Sequence, residues 1–327
     1  MATLAALSNL NGSARGQAAL AILLLRSKIL RQLEQRSAFE LDATKFQYQA
    51  VTGVGNLQSR AIGGGYTATA KTPPTPQNGQ LAIYGDKITI DRTHLADAAA
   101  GLRDIDTWLE KEAAARVRDI GGKLDGVLMN DPGTGTTMKG LSKILDGVTD
   151  IPGFTGMKGV LDARTFGGSG NFFDLTLATG AAQHDALIEG VAAALLKVPD
   201  ATGISMNQAL AGRFTTVARR AHMIGESRDL FGNPISTFNN VPINVVSDQA
   251  ITNAEPDNAG TPANNTTSLY IDRFGEGSTS LVTNEGLYYR EWEELENIVS
   301  AQEEFEIRMA WKIEDPESIL RVRNIKL

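Results

Sequence analysis

The chain has no cysteine, three histidines and only 6% aromatic residues among 327. Without cysteine there are no disulfides, cysteine-bound zinc sites, iron–sulfur clusters or thiol nucleophiles. His94, His184 and His222 are isolated in the sequence, and none belongs to a His-Glu-x-x-His metal motif. Long hydrophobic runs are also missing. The longest, residues 18–25, is eight residues, against about 20 needed to span a bilayer. No basic leader or cleavage site accompanies it, so the expectation is a soluble chain made in a cytoplasm, with no membrane partner. Positive charge is not in excess either: 31 Lys and Arg face 38 Asp and Glu, a net of −7, unlike the basic balance of a free nucleic-acid binder.

What is present is length, glycine and pattern. The length fits two to three ordinary domains or one large core with insertions. Residues 14–36 read as one amphipathic helix, with Ile22, Leu25, Ile29 and Leu33 at spacings of three and four. It either docks on its own domain or reaches a neighbouring subunit. Strand-like stretches at 45–57 and 80–92 flank a breaker-rich segment with Gly63, Gly64, Gly65, Pro73, Pro74 and Pro76, which describes a projecting hairpin. Residues 103–129 form the clearest helix, with Leu109, Val117, Ile120, Leu124 and Val127 in register and Gly121–Gly122 as an expected weak point. Helices are expected at 137–147, 183–197 and 207–220, with a short buried strand at 203–206 between the last two. Strands are expected at 235–248, 268–272, 279–283 and 319–325. Phe305, Ile307, Met309, Trp311 and Ile313 alternate with Glu306, Arg308, Ala310 and Lys312, the period of a half-buried strand.

No catalytic, cofactor or metal constellation emerges. Residues 167–171 approach a nucleophile elbow but lack its last glycine. Residues 133–140 approach a phosphate loop but lack Gly-Lys-Ser/Thr and follow a helix rather than a strand. Charge is unevenly spread. Residues 1–60 carry seven basic and three acidic residues, net +4, whereas residues 285–317 carry three and eleven, net −8. These carboxylates fall along strand faces and a Glu-rich connection, which suits a solvated or interface face better than a paired-carboxylate cleft.

Several local strings stand out: Gly133–Thr134–Gly135 with Lys139–Gly140–Leu141 after the long helix, and Gly203–Ile204–Ser205–Met206–Asn207 between two helices. Further on come Leu230–Phe231–Gly232–Asn233–Pro234–Ile235 with Asn240–Val241–Pro242, Ile271 to Gly277, and Trp311 to Ile319. With the order of the parts, these strings give a resemblance to the major capsid proteins of tailed bacteriophages, the Hong Kong 97-like family. It runs from about residue 40 to the end and implies an α+β fold. The implied parts are an N-terminal arm (1–44), an extended β-hairpin loop (45–92), a peripheral domain with a long spine helix and long strands (93–150 and 275–327), and an α/β axial domain (151–274).

The resemblance implies a non-enzymatic subunit that assembles with identical subunits into pentamers and hexamers. The resulting icosahedral virion shell, built in the host cytoplasm, encloses double-stranded DNA without sequence-specific binding. Portal and possible scaffolding or decoration proteins would be further partners. No long coiled-coil scaffolding region precedes residue 40, which implies a separate scaffolding protein or none. The basic arm and acidic C-terminal stretch offer head-to-tail complementarity. The candidate intersubunit contacts are therefore Arg26, Arg31, Arg36, Arg60, Lys71, Lys87, Glu291, Glu293 and Glu294. Covalent crosslinks through Lys71 or Lys87 have no assignable partner, and uncrosslinked subunits are expected. An encapsulin-like nanocompartment shell is the alternative of the same fold; a soluble enzyme binding a phosphate ligand is the alternative from another class.

Overall fold

The computed structural model describes residues 2–8, 14–49, 76–91, 93, 105–154, 156–166, 173–175, 181–228, 232–255, 266–294 and 300–327. The chain opens with three helices, α1 (Leu4–Leu7), α2 (Ala14–Arg26) and α3 (Lys28–Gln35). The single helix expected over 14–36 is thus two. Ser27 is extended, and its hydroxyl accepts from the Leu30 amide at 3.2 Å. A carboxylate almost a hundred residues away completes the break: Asp125 accepts from Ser27 Oγ (2.5 Å), Lys28 N (3.0 Å) and Ile29 N (3.2 Å). First-turn amides that a continuous helix would satisfy internally are satisfied by that acid instead. Ser27→Ala is expected to cost about 1–2 kcal/mol of stability, measured by chemical denaturation; no loss would mean that the Asp125 contacts alone hold the break.

Next come β1 (Phe39–Leu41), β2 (Lys45–Tyr48), β3 (Gln77–Gln80), β4 (Ala82–Asp91) and the long helix α4 (Ile105–Asn130). Helix α4 runs unbroken through Gly121–Gly122. Gly121 serves close packing: a Cβ there would lie 2.8 Å from Arg26 Cβ, so its absence lets α2 approach. Leu20, Leu23 and Leu24 of α2 and Ile29, Leu30 and Leu33 of α3 are buried in the same core as Leu124 and Leu128 of α4. The helices of the expected arm are therefore docked on their own chain.

Among the described residues the hairpin pairs four residues on each side, β2 with β3 from Lys45↔Gln80 to Tyr48↔Gln77. The remainder of the expected loop strand, β4, belongs to the body. It pairs antiparallel with the first ten residues of the 14-residue strand Ser300–Ile313, from Asp91↔Ser300 to Ala82↔Met309.

Helix α5 (Leu141–Ile144) is followed by β5 (Val160–Asp162), β6 (Phe173–Asp174), α6 (Ala181–Leu195), β7 (Gly203–Asn207) and α7 (Gln208–Arg220). The strands β8 (Ile224–Arg228), β9 (Pro234–Phe238), β10 (Val241–Val246) and β11 (Thr266–Asp272) come next. The chain closes with β12 (Thr279–Thr283), β13 (Leu287–Glu294), β14 (Ser300–Ile313) and β15 (Ile319–Lys326). The stretch 235–248, expected as one strand-like unit, is two. Asn239 and Asn240 both have positive φ, 49° and 66°, which makes the tight two-residue turn that suits a hairpin.

Two larger sheets result. The first contains β1-β12-β14-β13, with β4 also on β14; the second runs β5-β15-β11-β7-β10-β9-β8, with β6 on β15. Phe305, Ile307, Met309, Trp311 and Ile313 of β14 are all buried, as their alternation predicts, and Trp311 Nε1 donates to the Leu128 carbonyl of α4 at 2.9 Å. The second sheet has its own core, in which Ile204 and Met206 of β7 meet Leu187 and Val191 of α6 and Leu210 and Phe214 of α7.

One grouping is corrected. The last strand, expected with 275–327 beside the long helix, pairs in the second sheet between β11 and β5. The chain crosses from one sheet to the other after both β11 and β14. An Arg273–Asp315 ion pair and a Thr279 Oγ1–Ser318 Oγ hydrogen bond of 2.7 Å tie the two crossings together.

Candidate functional site

Among the described residues no group of three or more His, Asp or Glu side chains could hold a metal. The phosphate-loop-like stretch is a tight turn after α4. Gly133 and Gly135 have positive φ, the Thr134 amide donates to Thr137 Oγ1, and the Gly140 amide donates to the Asp131 carbonyl. Amides spent inside the turn cannot cradle a phosphate. Tyr84 of β4 braces it, donating to Asp131 and accepting from the Met138 amide; burial first, then the Asp131 carboxylate, push its hydroxyl up to about 12. Residues 63–65 and 167–171, and His94, lie outside the described residues.

Of the nine candidate contacts, seven lie among the described residues. Arg26 is exposed at the end of α2, and Arg36, also exposed, donates to the Thr202 carbonyl. Arg31 is corrected as a contact residue: it is buried, and its guanidinium donates to the carbonyls of Leu24 and Leu25 at the α2–α3 break. Last-turn carbonyls of α2 need donors, and Arg31 supplies them from within the chain. Lys87 is exposed on β4 opposite Glu304. Glu291, Glu293 and Glu294 lie on β13, where Glu293 pairs with Gln302 and Glu294 with Ala301. Arg60 and Lys71 lie outside the described residues. Part of the acidic C-terminal stretch is balanced inside the chain. Arg308 pairs with Glu285 and Glu306, Lys312 with Glu40 and Glu314, and Tyr289 donates to the buried Glu303.

Three buried acids that the sequence did not single out hold the N-terminal helices to the rest of the chain. Asp125 joins α2, α3 and α4, and burial raises its pKa against the amides and hydroxyl it accepts from. Glu34 of α3 accepts from the Leu4 amide at 2.5 Å, anchoring α1; burial raises its pKa too. Asp272, at the end of β11, accepts from Thr202 Oγ1 (3.3 Å) and Ser205 Oγ (3.4 Å), and Gln32 of α3 donates to Ser205 Oγ at 3.2 Å. Burial pushes Asp272 up to about 7 against those hydrogen bonds and the charge of Arg36. Asp125 had one weak signal, a carboxylate beside Leu124 and Leu128 on the apolar face of a helix. Asp272 and Glu34 had none, since their partners are remote in sequence.

Among described residues, Leu41 of β1, Ile83 of β4, Val148, Met157 and Leu196 are exposed large apolar side chains. They are distributed over both sheet bodies, as separate small contacts would need.

No protein-family model and no curated protein matches the chain. Solved structures do. The chain is similar to the holo-SrpI encapsulin complex from Synechococcus elongatus PCC 7942, with 13% identity, 90% of this chain and 88% of that one covered, and a TM-score of 0.56. It is also similar to the capsids of empty and native GTA particles, each at 15% identity over 90% of both chains, with TM-scores of 0.54 and 0.51. The likeness covers nine-tenths of the chain and bears out the α+β, Hong Kong 97-like fold.

Proposed function

We propose that this chain is the major capsid protein of a tailed bacteriophage, self-assembling through pentamers and hexamers into an icosahedral shell around double-stranded DNA. The observation that carries the reading is coverage: the fold agrees over nine-tenths of this chain with subunits of an encapsulin complex and of a GTA particle capsid. The ordered motifs from residue 133 to residue 319 support the phage head in particular, as does the net charge of −7, which suits a container that must release its contents. Function then lies in repeated self-contact, and a closed shell satisfies every contact surface by symmetry. Portal, scaffolding and decoration proteins are proposed further partners. The domain grouping stands as a proposal with residues 319–327 moved to the axial sheet.

An encapsulin-like compartment is the second reading, favoured by the TM-score to the Synechococcus encapsulin. Electron microscopy of the purified chain tests both. Closed icosahedral particles are expected, with nuclease-protected DNA in those from infected cells. Particles holding protein cargo would favour the compartment. A small monodisperse species at every concentration would overturn the shell altogether.

A further inference from the structure

Helices α6 and α7 enclose a cleft of about 290 Å³ on the second sheet's helical side. Its floor is apolar, with Leu187 and Val217 buried. Its rim is cationic: Arg213 and Arg220 come from α7 and His184 from the first turn of α6, and no carboxylate is among the described residues that line it. Helix α7 carries Arg213, Arg219 and Arg220 and no acidic residue. Arg213 and Arg220 are seven residues apart, about 10 Å along one helix face. The Arg213 guanidinium is held by one hydrogen bond, Nη1 to the Leu175 carbonyl at 3.0 Å, which leaves its other donors for a ligand. Arg220 makes no hydrogen bond or ion pair among the described residues.

Two guanidiniums facing one cleft repel each other, and an anion seated between them relieves that repulsion. The guanidinium fork matches the tetrahedral oxygens of phosphate in charge and geometry. The cleft, at about 290 Å³, lies at the small end of ligand pockets, roughly 300–1,000 Å³, and has room for an oxyanion group.

We propose that the α6–α7 cleft is a phosphate site that contacts the phosphodiester backbone of nucleic acid inside the shell. The inference rests on the container reading above, but its test does not require assembly. A site with two arginines per subunit gives weak, salt-sensitive, sequence-independent contact. Such contact is compatible with the chain's net negative charge and with release of the contents.

The test uses unassembled full-length subunits and a fluorescent DNA duplex of about 20 base pairs, titrated from about 50 to 200 mM salt. Arg213→Glu with Arg220→Glu is expected to weaken binding by about tenfold or more at low salt. It should also make the dependence of log K on log salt shallower by about 2. Arg213→Lys should retain most of the affinity, and circular dichroism should show that the variants fold. Arg219→Glu is the control, because Arg219 lies on the same helix but does not line the cleft. It makes the same charge change as Arg213→Glu alone and should shift affinity less than about twofold.

Equal losses from Arg219→Glu and Arg213→Glu would mean a diffuse field and overturn the site. Binding of inorganic phosphate without measurable DNA affinity would overturn the nucleic-acid assignment. Unchanged DNA binding with lost shell formation would assign the cleft to a carboxylate of a second copy and also overturn it. Micrographs of the unaltered chain judge the shell reading separately.

Discussion

Arg321→Met is expected to destabilise the folded chain by about 3–5 kcal/mol, more than any surface change considered above. Arg321, on β15, has an 11% exposed side chain and pairs with Glu255, 9% exposed, at 3.1 Å. It also donates to Ser268 Oγ (3.1 Å) and to the Ser142 and Leu145 carbonyls at 3.0 and 2.9 Å, and its guanidinium lies 5.7 Å from the Tyr270 ring centroid. One side chain thus joins the second sheet to α5 and its C-cap residue Leu145. Removing it strands the Glu255 carboxylate, which among the described residues keeps only the hydroxyl of Ser268, and leaves two carbonyls without that donor. Chemical denaturation of isolated subunits measures the loss. The double variant Arg321→Met, Glu255→Leu should recover part of it, because the buried charge goes with its partner. A single-variant cost under about 1 kcal/mol would show that water replaces the arginine.

Asp272→Asn is expected to raise stability at pH 8 and to flatten its pH dependence between pH 5 and 8. Folding pushes this carboxyl up to about 7, from the ordinary value near 4. Between those values the folded chain holds a proton that the unfolded chain has released, so stability falls as pH rises. The contribution is complete below pH ~4 and lost as pH passes ~7. Three pK units correspond to at most about 4 kcal/mol, and relaxation around the ionised acid reduces that. Asp162 works in the opposite sense: held near 2 by Arg164 and Asn324 against burial, it loses its contribution only as pH falls below about 4, outside this window. Denaturation midpoints of both forms at pH 5 and pH 8 are the measurement. A wild-type chain more stable at pH 8 than at pH 5, with Asp272→Asn unchanged, would refute the assignment.

These two groups mark where sequence reading stopped. The periodicity of α4 and the alternation of β14 were legible because each is set by one face meeting one core, and that constraint is local. Strand β15 was legible as a strand but not by sheet, since Ile319, Val322 and Ile325 present the same apolar pattern to either. The hairpin was overextended for the same reason: the alternation in β4 does not say which partner it pairs with. Of the candidate contacts, Arg26, Arg36 and Lys87 are exposed, whereas the equally basic Arg31 is consumed by the Leu24 and Leu25 carbonyls at the end of α2.

The amino-acid sequence by itself determined the element types, the absence of thiol chemistry, the polarised charge and the ordered motifs that point to a shell subunit. Those are properties of local pattern and composition. Tertiary structure alone decided that Asp125 splits the first long helix in two, that the last strand crosses to the second sheet, and that Arg213, Arg220 and His184 meet around one cleft. Each of these depends on groups brought together across tens to hundreds of residues, where local propensity carries no information about the partner.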